Sequence, residues 1–187
     1  MPAIRPLTHD VTRRQALIGG LAAAASALGL GSAEAAHVVR PWAAGKPVPG
    51  FDLTDLSGKT WSLSALRGQV VLMNFWATWC EPCRAEMPSL DLLAQRHRAD
   101  GVQVLAINYK ESVPVIRRYL ERQPLSLPIL LDSDGDATSA WTPRVFPTTV
   151  LVDRGGQPRH VVVGEVDWSG SVARDLIDPL IARTRTS

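Results

Sequence analysis

The side chains in this chain best suited to chemistry lie in one stretch, Trp79-Cys80-Glu81-Pro82-Cys83, which holds both of its cysteines. A cysteine reacts as its thiolate, so what matters is the setting that would deprotonate it. Ahead of the pair runs Val70-Val71-Leu72-Met73-Asn74-Phe75-Trp76, a continuous apolar segment that reads as a buried, parallel-type strand. Behind it, Arg84 to Arg98 repeats apolar residues at Met87, Leu90, Leu93 and Ala94, which is helical spacing. The cysteines therefore stand where a buried strand gives way to a helix. Unpaired N–H groups at a helix start carry partial positive charge and favour a thiolate. Cys80, at the exposed helix start, is the candidate nucleophile, and Cys83, one turn on, is the candidate resolving thiol. Pro82 fits the first helical turn, where a missing N–H costs nothing.

Two cysteines could instead form a structural bridge or half of a zinc site. A bridge over so short a loop constrains little of the unfolded chain. Tetrahedral zinc needs four ligands, and no second Cys or His pair, His97 and His160 included, has ligand spacing. Asp132-Ser133-Asp134-Gly135-Asp136 hints at a calcium loop, but that motif needs Gly where Ala137 stands and Glu where Pro143 stands. A solvated turn capping a short helix is expected there. The reading is dithiol–disulfide exchange, with no metal and no cofactor.

The segment Phe75 to Pro88 (FWATWCEPCRAEMP) resembles the active-site segment of the thioredoxin superfamily. More closely, it is similar to the TlpA/ResA-like extracytoplasmic thiol:disulfide oxidoreductases, and the resemblance runs from about Pro47 to the C-terminus. It implies a role for Glu86, three residues past Cys83 on the same helical face. Relatives carry an acidic residue there that serves proton transfer to and from the thiols. Thioredoxin uses a buried Asp on the preceding strand instead, and the matching residue here is Asn74, which cannot titrate. The plain alternative for Glu86 is a solvated first-turn glutamate favoured by the helix dipole. The resemblance also implies that the Phe146–Pro147 bond is cis and lies opposite the cysteines. Phe146 would then offer backbone groups to an extended substrate peptide. Trp79, Glu81, Pro82, Phe146 and Pro147 form the expected substrate surface, with Trp76 packed beneath it. Relatives have glycines before this proline, whereas this chain has Thr142-Pro143-Arg144-Val145, which implies a stiffer loop and an altered substrate preference. Pro88 is expected to kink the helix.

The chain of 187 residues carries a net charge of +2, of which residues 1–35 hold +1, so nucleic-acid binding is a poor hypothesis. Arg13-Arg14, the Ala/Gly/Leu run from Ala16 to Gly31 and Ala33-Glu34-Ala35 read as a signal peptide over residues 1–35, with a twin-arginine character. An uncleaved membrane anchor is the alternative, although the apolar run is short for a span. Either places the protein outside the cytoplasm, in a bacterial periplasm, where disulfide chemistry persists.

Residues 36–46 read as a loosely held lead-in and 47–187 as one domain. A hairpin is expected over Phe51 to Leu63 about Ser57-Gly58-Lys59, then a short helical turn from Ser64 to Arg67. Beyond the active-site helix follow strands over Val102 to Asn108, Leu127 to Leu131, Thr148 to Asp153 and Arg159 to Val163. Helices are expected over Val113 to Gln123 and Ser169 to Arg183. The order implies an α/β, three-layer thioredoxin-like sandwich: a mixed central sheet flanked by helices, with an N-terminal β-hairpin and a central αβ insertion. By resemblance, the clients are apocytochrome c or copper-site cysteines, and electrons come from a membrane donor of the DsbD/CcdA type. The alternatives are a Cu(I) chaperone holding copper through Cys80 and Cys83, since thiolates suit Cu(I), and an oxidant of folding proteins.

Overall fold

The computed structural model describes residues 37–182; the expected signal segment, residues 1–35, lies outside them. Strands β1 (Val38–Pro41), β4 (Val70–Trp76), β5 (Val102–Tyr109), β6 (Ile129–Asp132), β7 (Thr148–Val152) and β8 (Pro158–Val163) form one sheet in the order β1-β8-β7-β4-β5-β6. β4, β5 and β6 run parallel, while β7, β8 and β1 pair antiparallel. β2 (Asp52–Thr54) and β3 (Thr60–Ser62) make the separate hairpin, followed by a 3-10 turn at Ser64–Leu66. The helices are α1 (Glu81–Arg96), α2 (Val113–Arg122), α3 (Asp136–Trp141) and α4 (Ser171–Ala182). This is the mixed, helix-flanked sheet that the sequence implies.

β4 is buried along its whole length, and its two faces feed two cores. Val70, Leu72 and Trp76 join Met87, Leu90 and Leu93 of α1, Ile116 and Tyr119 of α2, and Ala173, Ile177 and Leu180 of α4. Val71, Met73 and Phe75 join Phe51, Leu63, Leu66 and Trp141 on the other side. The period of two assigns each residue a face. Asn74 therefore falls on the α1 face, among apolar neighbours, which decides its role at the site. β4-α1-β5 and β5-α2-β6 step the same way along the sheet, so right-handed crossovers put α1 and α2 on one side.

Pro88 lies inside α1 and cannot donate to the carbonyl four residues back, that of Arg84. Gln123, at the end of α2, supplies the missing partner: its Nε2 donates to the Arg84 carbonyl at 3.3 Å. The proline gap thus ties α2 to the first turns of α1.

Two expectations are corrected. Residues Val38–Pro41 of the lead-in are no loose segment: they pair with β8 as an edge strand, from Val38 opposite Val163 to Pro41 opposite His160. The turn after β6 is not solvated throughout. Asp132 is buried, and its carboxylate accepts from the backbone N–H groups of Ala137 and Thr138 and from the Thr138 hydroxyl, which caps α3. The active-site helix begins at Glu81, directly after Cys80 as expected, and Cys80 itself serves as its N-cap.

Candidate active site

Cys80 and Cys83 are joined in a disulfide at the start of α1. Cys80 has extended backbone angles, and its sulfur accepts from the Cys83 N–H at 3.3 Å, the position of an N-cap side chain. Pro82 occupies the first turn, as expected. Cys80 is not at an exposed helix start: it is 5% accessible and Cys83 0% in this oxidised form. Of the two, Cys80 is the more accessible. Glu81 and Pro82 are exposed beside it.

Trp79 is 62% exposed and meets the half-buried Phe146 ring edge-on at 5.8 Å. That contact brings the loop before β7 to the cysteine turn. The Phe146–Pro147 bond is cis. Arg144, in that loop, adopts a left-handed conformation (φ 59°) that glycine takes most readily. It is held there by its own groups: the backbone N–H donates to Thr142 Oγ1, and Nε and Nη2 donate to Ser139 Oγ. Trp76 is fully buried and packs against the Tyr119 ring at 5.2 Å, tilted by 51°.

Glu86 is 2% accessible, which rules out the solvated first-turn alternative. Asn74 Nδ2 donates to its Oε1 at 2.6 Å, and the Val166 N–H and Trp168 Nε1 each donate to Oε2 at 3.2 Å. Burial raises its pKa, the three hydrogen bonds oppose that, and the carboxyl is pushed up to about 7. A carboxyl poised there can exchange a proton at neutral pH, as a general acid–base group must. The two ends of the Asn74 amide are used unequally: Nδ2 serves both Glu86 and Thr149 Oγ1, while Oδ1 has no partner. Rotating that amide would present an acceptor to a protonated Glu86, so Asn74 can match either state.

Sequence reasoning missed Glu111. It accepts from the Thr78 N–H at 2.6 Å, the Thr78 hydroxyl and Asn108 Nδ2, and so clamps the turn two residues before Cys80. The available signal was weak: a carboxylate just past the end of a central parallel strand, where sites in α/β sheets collect. Val166 and Trp168, from the segment before α4, carry no sequence signal for their bonds to Glu86. His97 pairs with Asp100 at 3.0 Å. Among the described residues no cluster of three or more His, Cys, Asp or Glu is arranged to hold a metal ion, and no helix is long and apolar enough to cross a membrane.

Comparison with known proteins agrees with this geometry. The AhpC/TSA family pattern matches residues 44–161. The thiol-disulfide oxidoreductase ResA of Geobacillus kaustophilus (strain HTA426) is 38% identical over 122 residues, covering 65% of this chain and 70% of that protein. ResA of Bacillus subtilis (strain 168) is 35% identical over 125 residues, covering 67% and 70%. Among solved structures, a secreted thiol-disulfide isomerase from Corynebacterium glutamicum superposes with a TM-score of 0.67 at 26% identity, covering 77% of this chain and 92% of that one. StoA from Bacillus subtilis, at 24% identity, 65% and 92% coverage and a TM-score of 0.58, shares the fold.

Proposed function

The chain belongs to the AhpC/TSA family and is a thiol-disulfide oxidoreductase; from that premise we propose that it acts outside the cytoplasm as a reductase of client-protein disulfides. The observation that carries the proposal is the buried Glu86, poised near neutrality on the helix that presents the cysteine pair. In the reduced protein the Cys80 thiolate attacks one sulfur of a client disulfide. The client S–S bond breaks, a mixed disulfide forms and the other client sulfur leaves as a thiolate. Cys83, deprotonated, attacks Cys80 Sγ. That forms the Cys80–Cys83 disulfide and releases the second client thiolate. Two electrons pass to the client, and the two protons of the Cys80 and Cys83 thiols end on the client thiols. Glu86 relays the proton that Cys83 must lose.

Trp79, Glu81, Pro82, Phe146 and Pro147 form the surface that receives the client, with Phe146 giving backbone partners to an extended segment. Apocytochrome c and copper-site cysteines are the client classes we favour. Regenerating the dithiol needs an external reductant, for which a membrane donor of the DsbD/CcdA type fits. An extracytoplasmic address is supported by the signal-peptide-like pattern of residues 1–35 and by the description of the Corynebacterium protein as secreted.

Trapping tests the assignment of roles. Cys83→Ala should hold a client disulfide on Cys80 as a stable adduct visible by mass spectrometry, and Cys80→Ala should not. Adducts on Cys83 alone would reverse the roles.

A further inference from the structure

Beside the cysteine turn lies a second feature that thiol exchange does not use. A cleft of about 480 Å³ opens between the start of α1 and the outer face of α2, with Thr78 at one end and Arg84, Arg118 and Arg122 around it. Val115, Arg118, Tyr119 and Arg122 stand at positions i, i+3, i+4 and i+7, which is one helical face. Arg118 and Arg122 are one turn apart, exposed and like-charged, an arrangement mildly unfavourable to the helix itself.

None of the three arginines forms an ion pair among the described residues. Glu111, just past the end of β5, turns its oxygens to Thr78 and Asn108. The Arg84 guanidinium is half-buried and donates to the Thr78 carbonyl at 3.1 Å, which fixes it at the mouth of the cleft. Tyr119, 5% accessible, lines the floor of the same cleft with its hydroxyl buried, so the three guanidinium groups are the cleft's available donors.

We propose that this cleft is a recognition site for an acidic peptide segment of the redox partner, its carboxylates held by Arg84, Arg118 and Arg122. Carboxylate is the acceptor that guanidinium forks match with two parallel hydrogen bonds. A peptide rather than a free anion is favoured because the cleft is large, open and partly apolar, with Val115 exposed at its rim. Its end at Thr78 is two residues from Cys80, so an acidic segment seated there delivers a neighbouring disulfide to the nucleophile. With a chain charge of only +2, the local cluster rather than the whole protein would steer such a partner. The proposal rests on the exchange reading for the identity of the partner but not for the binding itself.

The test uses the full chain and two dye-labelled peptides without cysteine, identical except for Asp-Glu-Asp against Asn-Gln-Asn, read by fluorescence anisotropy. The acidic peptide should bind about tenfold more tightly at roughly 50 mM salt, and the margin should shrink at about 150 mM as exposed charges are screened. The double variant Arg118→Gln/Arg122→Gln should erase the margin; both positions are exposed and Gln keeps helix propensity, so the fold stands. Equal affinity of the two peptides for the unmodified chain overturns the proposal. Displacement of the acidic peptide by free succinate at an equal concentration assigns the cleft to small carboxylates and overturns it too. Because these peptides cannot exchange thiols, failure to turn over disulfides would sink the reductase reading alone.

Discussion

Replacing Glu86 by glutamine isolates the cost of keeping a carboxylate in a buried site. The carboxyl moves from an ordinary 4.5 in the unfolded chain to about 7 in the folded one, chiefly through burial. Between these values the folded protein binds the proton more tightly than the unfolded chain does. The stability this group contributes is therefore fully present below about 4.5 and is lost as pH rises through 7. At 1.36 kcal/mol per pKa unit the loss is about 3 kcal/mol by pH 8. The introduced glutamine carries no charge at any pH. Its oxygen can take the Val166 and Trp168 donors, and its amide nitrogen would face the partnerless Asn74 Oδ1 once that amide is rotated. The Glu86→Gln variant and the parent should be similarly stable in urea at pH 4, and the variant should gain on the parent by about 3 kcal/mol at pH 8. Urea unfolding of the disulfide form at four pH values measures this, since every other titrating group cancels between the two proteins. The variant should also lose the inflection near neutrality in its reductase rate. A stability difference that stays constant from pH 4 to pH 8 would refute the reasoning, because Glu86 would then titrate like an exposed glutamate.

Trp168→Phe removes one of the donors that hold the Glu86 carboxylate, so the pKa should rise further and the rate inflection should move to higher pH. Carbon NMR titration of Glu86 checks the direction. Glu111→Ala strands three donors, on Thr78 and Asn108, and should cost about 2 kcal/mol in urea unfolding while slowing attack at Cys80 through a loosened turn. A full reductase rate at unchanged stability would remove Glu111 from the site. Gln123→Ala leaves the Arg84 carbonyl unpaired beneath Pro88, and thermal unfolding should report a loss of about 1 kcal/mol.

The sequence carried the cysteine turn because every local signal there agrees. A strand with two buried faces reads as an unbroken apolar run, and a helix that follows it reads by its period. Pro82 sits where a helix tolerates it. The hairpin and the parallel strands were legible for the same reason. What escaped were contacts between elements far apart in the chain. The resemblance points to Glu86, but its bonds to Val166 and Trp168 span about 80 residues and leave no mark on local pattern. Asn74 looked inert because it cannot titrate; its place on the α1 face makes it the partner of the group that can. The edge strand at Val38–Pro41 was hidden by Pro41 and by full exposure along its length, since an edge strand gains its order from one neighbour's backbone. Asp132 looked solvated because its surroundings are polar in sequence, whereas its carboxylate turns inward to cap α3.

The reduction potential of the Cys80–Cys83 pair, measured by equilibrating the protein with dithiothreitol or glutathione and counting thiols, tests the proposed direction of electron flow most directly. A reductase that depends on a membrane electron source should give a value near or below about −230 mV. A value near about −120 mV would contradict the account and make the protein an oxidant of its clients.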